Sequence, residues 1–189
     1  MCSDKSAAVR RPTCGWARSR RRVEARPEAT AGSSGPAEAM TMDEVLELLE
    51  RDRALHLTQR CSERDLDILE DGLGRRLPAA FRGLLARVGG GILYDRHEVF
   101  GARRLIVHDI ELVPDLLSVR QRLEAEGHSW PDHLIPFHRS QGIVHVMDVS
   151  RGEGPAAVLS ETGQSYADLP DFLRAVVLPR PRSAGLDAQ

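Results

Sequence analysis

Apolar side chains recur every three or four residues in three segments that follow residue 40, and this spacing is typical of amphipathic helices. The third segment shows it most simply, with Phe81, Leu84, Leu85 and Val88 at positions i, i+3, i+4 and i+7. Candidate caps lie in front of the first two segments: Thr41 or Asp43, and then Ser62, which together with Asp65 approximates a capping box. The pattern predicts helices over residues 41–55, 62–74 and 78–88.

The period changes after Gly89-Gly90-Gly91. Short runs rich in β-branched and aromatic residues predict strands over residues 92–94, 98–100, 105–107, 135–137, 143–149 and 156–160. Between and after them, further helices are predicted over residues 112–126 and 172–177, the last one capped by Asp168 or Asp171. Short connections favour antiparallel pairing. The order predicts an α+β fold: a single domain with a mostly antiparallel central sheet flanked by helices.

The first forty residues differ from the rest of the chain. They carry eight basic and four acidic residues in a background of Ala, Ser, Pro and Gly, with almost nothing to build a core. We expect residues 1–40 to form a disordered basic extension, residues 41–178 the folded domain, and residues 179–189 a disordered tail. Three other interpretations stay open, namely an organellar transit peptide, a nucleic-acid-binding arm, and a start codon assigned upstream of Met40 or Met42. A twin-arginine export signal would need an apolar stretch after Arg22, and none follows.

Composition narrows the class of protein. Cys2, Cys14 and Cys61 are widely spaced with no CxxC pair, which argues against a disulfide framework or a thiolate metal site and favours the reducing cytoplasm. No apolar run is long enough for a membrane-spanning helix. Lys5 is the only lysine among the 26 basic residues, and asparagine is absent, which indicates a high-GC and therefore bacterial genome.

The glycine triplet invites comparison with phosphate-binding loops. Such loops follow a strand and open a helix, so that the helix N-terminus faces the phosphate. Here Gly89-Gly90-Gly91 follows a helix and precedes a strand. The triplet is therefore interpreted as a helix stop and tight turn.

The histidines do not match a metal-binding motif. His97-Glu98 begins like the zinc motif HExxH, but Gly101 stands where the second histidine belongs. His128, His133, His138 and His145 recur without a cysteine partner or tight ligand spacing. They are interpreted as ordinary polar or core histidines, and no metal site or cofactor is predicted.

Candidate nucleophiles and acids are also few. Cys61 approaches a predicted helix, where a reactive thiolate is conceivable, but a buried small residue is the better interpretation. Asp148 ends a predicted strand, which is typical of a turn-former more than of a general base. No catalytic residue is assigned, and the chain is predicted not to be an enzyme. Stoichiometric metal in the purified protein would instead favour a hydrolase built on Asp148 and the histidines.

An ordered set of short motifs runs from residue 63 to residue 177. Its members are Leu73-Gly74, Leu77-Pro78, Phe81, Leu84-Leu85, Gly89-Gly90-Gly91, Ile135-Pro136-Phe137, Gly142, Asp148, Tyr166-Ala167-Asp168 and Phe172-Leu173. In this order and spacing they resemble the SUKH superfamily, whose fungal branch includes a regulator of cell-wall assembly and whose bacterial members are largely immunity proteins. The chain departs from the family at two places. The family often has a polar residue where Val88 or Gly89 stands, and aromatic residues before the aspartate, where this chain has His145, Val146 and Met147.

The resemblance implies a protein-binding module, an immunity protein that neutralises a partner toxin such as a nuclease or deaminase. The alternative is a regulatory scaffold in cell-envelope or signalling assemblies. Residues 41–178 carry 16 arginines and 23 acidic residues, a net charge of −7, which would steer a basic partner. Contact with membrane is not expected, nucleic acid is a weaker alternative, and the oligomeric state stays open. The predicted partner contacts lie on one charged loop and the arginines after it: Asp95, Arg96, His97, Glu98, Arg103 and Arg104.

Overall fold

The computed structural model of the chain describes residues 40–127 and 131–179. Helices α1 to α5 are Met42–Arg51, Glu63–Leu73, Ala79–Arg87, Leu116–Ala125 and Leu169–Phe172. Strands β1 to β9 are His56–Gln59, Gly90–Leu93, His97–Val99, Leu105–Val107, Ile110–Val113, Leu134–Ser140, Ile143–Asp148, Val158–Ser160 and Ser165–Tyr166. A 3-10 turn, Arg53–Leu55, joins α1 to β1, and α5 continues into a π-helical turn, Leu173–Val177.

Seven strands form one sheet in the order β1-β2-β3-β6-β7-β8-β9, and β4 and β5 form a separate hairpin. Every strand pair in the described residues is antiparallel. The chain leaves the main sheet after β3, makes the hairpin and α4, and returns as β6 beside β3. The predicted α+β class and mostly antiparallel sheet are confirmed.

Both predicted capping sites close their helices. Thr41 receives the N–H of Glu44 at 3.3 Å, while Glu44 accepts the N–H of Thr41 at 2.7 Å. Ser62 and Asp65 make the same reciprocal pair, with Asp65 Oδ2 accepting the Ser62 N–H at 2.9 Å. The shorter aspartate therefore completes the box that usually uses glutamate. Gly74 ends α2 in the left-handed region at φ 67°, while Gly72 lies inside the last turn of the helix.

The core lies between the helices and one face of the sheet. Phe137 packs edge-on against both Phe81 of α3 and Phe172 of α5, with ring centroids 5.6 and 5.3 Å apart. A β-bulge in β6 adds Phe137 to that strand, so that Phe137 and His138 are both fully buried. Alternate residues of β7 lie on the other face, where Val144 and Val146 pack with Leu134 in a smaller cluster.

A buried carboxylate fixes the start of α3. Glu70 is 4% exposed and accepts the backbone N–H of Leu77 at 2.9 Å. Arg76 donates to it at 2.6 Å, and Arg82 forms a further ion pair with it at 3.0 Å. Burial opposes the charge of Glu70, but these partners outweigh burial and lower its pKa. The Leu77-Pro78 segment is thereby held against the end of α2.

Three strands were not predicted, namely β1, β5 and β9. The first predicted helix ends at Arg51, short of residue 55, because the chain turns there to pair β1 with β2. The helix predicted from residue 112 begins at Leu116, because Ile110–Val113 pairs with β4 across a tight turn in which His108 and Asp109 have φ of 49° and 62°. Tertiary pairing therefore overrides the local pattern at both places.

The predicted basic extension of residues 1–40 and the tail of residues 179–189 fall almost wholly outside the described residues. Among the described residues, no helix is long and apolar enough to span a membrane.

Candidate functional site: a histidine-lined cleft

Three adjacent strands bring three histidines to the core face of the sheet. His97 lies on β3, and the register pairs His138 of β6 directly with His145 of β7. His97 and Val99 lie on the same face of β3, and Val99 pairs with His138. The side chains are 4%, 0% and 5% exposed in the order His97, His138 and His145. Residues far apart in sequence thus form one buried cluster.

The three imidazole rings are linked by hydrogen bonds. His97 Nδ1 lies 3.3 Å from His138 Nε2, and His138 Nδ1 lies 3.1 Å from His145 Nδ1. A neutral imidazole has one N–H donor and one bare nitrogen acceptor. The two hydrogen bonds can therefore run in either direction along the chain of rings. In each direction, His138 donates to one neighbouring histidine and accepts from the other. His97 Nε2 is buried and has no partner in the described structure.

The cluster is built to stay uncharged. Burial, with the nearby charge of Arg96 second, lowers the pKa of His97 to about 4. Burial and the two flanking histidines lower the pKa of His138 to about 2, and burial lowers the pKa of His145. Desolvation disfavours the charged form of a base, which is the cause of all three shifts. At neutral pH the rings act as hydrogen-bonding groups and carry no charge.

A surface cleft of about 420 Å³ lies beside this cluster. Its polar lining consists of Arg96, His97, Ser140, Gln141, His145, Gln164 and Tyr166. Its apolar lining consists of Ile143, Ala175, Val176 and Leu178. The cleft has no acidic residue in its lining, and this is unusual in a domain with an excess of acids.

The predicted contact loop lies at the mouth of this cleft. Asp95 and Arg96 are exposed in the β2–β3 turn, where Tyr94 and Asp95 have φ of 48° and 60°. Arg96 makes no ion pair with any described residue. His97 points inward, and Glu98 accepts the Nε–H of Arg139 at 2.9 Å across to β6. Of these four loop residues, Asp95 and Arg96 present free side chains.

The other two predicted contact residues hold the fold together. Arg103 donates to Asp65, the carboxylate that caps α2. Arg104 donates from Nε to Asp115 Oδ2 at 3.1 Å, and Asp115 in turn caps α4 through Ser118. Each arginine therefore ties the segment after β3 to the start of a helix. Within the described residues, Asp95 and Arg96 are thus free at the surface, whereas both of these arginines are paired with carboxylates.

The other residues considered for chemistry or ligand binding are Cys61, Asp148 and the glycine triplet. Each of them has a structural explanation. Cys61 is buried, and burial raises the pKa of its thiol. Asp148 accepts the N–H of Ser150 at 2.9 Å, a bond that lowers its pKa and closes the turn after β7. A Cβ added to Gly89, which has φ of 100°, would lie 2.2 Å from the carbonyl oxygen of Gln59. The glycines therefore permit close backbone approach.

No group of three or more metal-binding side chains is arranged around a common point within residues 40–127 and 131–179. His97, His138 and His145 bond to one another, so their nitrogens do not converge on an ion. His133 is exposed, and His128 lies outside the described residues.

Sequence reasoning missed two features. The first is the histidine cluster, which could have been found only from the register of β3, β6 and β7. The second is a set of exposed apolar side chains on the β4–β5 hairpin, where Ile106, Ile110 and Leu112 are 56%, 62% and 37% exposed. The available signal was apolar Ile110 and Leu112 on either side of Glu111, but Leu112 and Val113 fall in the helix predicted from residue 112.

Fold and site together define an α+β domain with an all-antiparallel sheet and a buried imidazole cluster beside a surface cleft. A sequence model of the SMI1 / KNR4 family (SUKH-1) matches residues 60–175. The chain belongs to this family, and the resemblance found from its motifs is confirmed. SUKH domains are protein-interaction modules and generally non-catalytic.

The fold is also similar to a crystal structure of a protein from Pseudomonas syringae pv. tomato, with 20% sequence identity and a TM-score of 0.52. The match covers 71% of this chain and 96% of the other. It supports the fold. Comparison with curated proteins gave no match.

Proposed function

We propose that this chain is an immunity protein that binds a partner toxin, such as a nuclease or deaminase, and blocks it. The proposal rests on one observation: acidic residues and histidines of the described domain bond to other parts of the same domain. Asp65, Asp115 and Asp168 cap helices, Glu70 fixes a loop, and the histidines bond to each other. The use of these groups to maintain the fold favours a binding surface over a reaction centre, in keeping with the family.

Charge supports a basic partner. Residues 41–178 have a net charge of −7, and an acidic surface accelerates encounter with a basic protein. Toxins that act on nucleic acid need a basic face to bind phosphates. The two charge patterns are complementary.

We place part of the contact at the β2–β3 turn, where Asp95 and Arg96 are exposed on a rigid sheet. Arg96 is available because none of the described acids pairs with it, while Arg103 and Arg104 are already bound to carboxylates. Buried free Cys61 is compatible with action in the cytoplasm. We further propose that residues 41–178 suffice for binding.

An immunity role predicts that a toxin domain is encoded by a gene beside this one. The proposal is tested by expressing that domain in a bacterial host, with and without this chain. We expect growth to be restored by the full chain and by residues 41–178. Replacing Asp95 and Arg96 together with alanine should weaken the complex by about tenfold, whereas Arg151→Ala, at the opposite end of β7, should leave it unchanged. Failure to restore growth, together with several weak partners, would favour the regulatory scaffold instead.

A further inference from the structure

The cleft beside the histidine cluster has the lining of an anion site. Its charged group is Arg96, and Ser140, Gln141, Gln164 and His145 can each donate a hydrogen bond. Tyr166 donates its hydroxyl to Gln164 Oε1 at 3.3 Å, which leaves the amide NH₂ of Gln164 free to donate. No carboxylate lines the cleft, and Asp95, on the same turn as Arg96, lies at its mouth and not in its lining.

One wall of the cleft is apolar and comes from the end of the domain. Ala175 and Val176 belong to the π-helical turn, and Leu178 follows it. Ile143 faces them from the start of β7. A ligand that fills this space therefore needs a short apolar body as well as a charged end.

We propose that this cleft binds a small organic anion, a carboxylate or phosphate attached to a short apolar group. Arg96 pairs with the oxyanion through its planar guanidinium, which presents two parallel N–H donors. Gln164 and Ser140 supply further donors, and the apolar wall holds the body of the ligand. This proposal goes beyond the protein-binding role and does not depend on it.

The histidine chain gives the site an adaptable inner wall. The free nitrogen of His145 is Nε2, because its Nδ1 is bonded to His138. When His145 Nδ1 accepts from His138, His145 Nε2 carries the proton and becomes a donor. An anion in the cleft therefore favours that direction of the chain, in which His138 donates from Nδ1 and accepts from His97. To reach that direction from the opposite one, His145 Nε2 takes up a proton and His97 Nε2 gives one up, so the total charge of the three rings is unchanged.

The site can be tested with the full chain and defined probes. Isovalerate and isobutyl phosphate carry the proposed chemistry, isovaleramide is a neutral analogue, and acetate lacks the apolar body. Binding is followed by backbone amide and imidazole NMR shifts during titration at neutral pH. We expect saturable binding of isovalerate or isobutyl phosphate, with shifts at Arg96, Gln164 and His145, and weaker binding of acetate and isovaleramide.

Two arginine variants separate a specific site from general charge attraction. Arg96→Gln should weaken binding of the anion by roughly tenfold, the usual effect of losing a charge-assisted hydrogen bond. Arg151→Gln removes another exposed charge, on the β7–β8 turn, and should change binding less than twofold. Thermal melting checks that both variants are folded. Equal affinity of Arg96→Gln and the unmodified chain, equal binding of isovaleramide, or no saturable shift with any probe would overturn the proposal.

Discussion

Arg103 donates its Nε–H to Asp65 Oδ1 at 2.9 Å, and its Nη2 lies 2.7 Å from the same oxygen. The other carboxylate oxygen of Asp65 accepts from Ser62 and closes the N-terminus of α2. One side chain thus joins the start of a helix to the segment that follows β3. Arg103, chosen from the sequence as a partner contact, has a structural role in the domain.

The first prediction concerns the stability of this pair. Arg103→Ala should lower the free energy of unfolding by about 1–2 kcal/mol, because it removes a partner of the buried Asp65 carboxylate. The loss should be smaller than for a fully buried ion pair, since Arg103 is half exposed. Arg96→Ala should change stability by less than about 0.5 kcal/mol, since Arg96 is exposed and unpaired among the described residues. Urea unfolding measures both. Equal effects of the two substitutions would contradict the assignment.

The second prediction concerns pH. The pKa of His97 is lowered to about 4 and that of His138 to about 2, both below the ordinary value near 6.5. Between pH about 6.5 and 4 the unfolded chain therefore binds more protons than the folded one, so stability falls as the pH falls. Each buried histidine should contribute a slope of up to about 1.4 kcal/mol per pH unit in that range.

Guanidinium unfolding at a series of pH values between 7.5 and 5 measures this slope. Comparison with His138→Leu isolates one histidine, because the slope, and not the absolute stability, is compared. The slope of the free energy of unfolding against pH should be smaller in His138→Leu by about the contribution of one titrating histidine. Identical slopes in the two proteins would show that His138 is charged or exposed in the folded state.

The third prediction concerns close backbone packing at the glycine triplet. A Cβ on Gly90 would lie 2.6 Å from the Cα and N of Gly101, so Gly90→Ala must push two backbone segments apart. A loss of about 1–3 kcal/mol is expected from such overpacking. Gly154→Ala is the matched control, because its nearest new contact would be an ordinary 3.5 Å. Thermal unfolding showing equal melting temperatures for both variants would disprove the packing argument.

The sequence was sufficient for most helices and for the central strands. Residues such as Phe81, Leu84 and Leu85 repeat with a helical period, and Ser62 with Asp65 marks the start of α2 locally. These signals depend on neighbours within a few residues. The fold class follows from them because short connections favour antiparallel pairing.

The histidine cluster and the arginine–carboxylate pairs could not be predicted from such local patterns. His97, His138 and His145 meet only because β3 pairs with β6 across the intervening hairpin and α4, and no local pattern encodes that register. The bulge that buries His138 beside Phe137 is likewise a property of the paired strands. Similarly, Arg103 and Arg104 looked free in sequence, while their carboxylate partners Asp65 and Asp115 lie 38 and 11 residues away.

The most direct test of a protein-binding role is the mass of the purified chain mixed with the purified toxin domain of the neighbouring gene. Size-exclusion chromatography with light scattering at micromolar concentration should show one species whose mass is the sum of 20.9 kDa and the mass of the toxin domain. The toxin should lose its activity in proportion to the amount of chain added, reaching zero at equal amounts. Two separate species and an unaffected toxin would contradict the account.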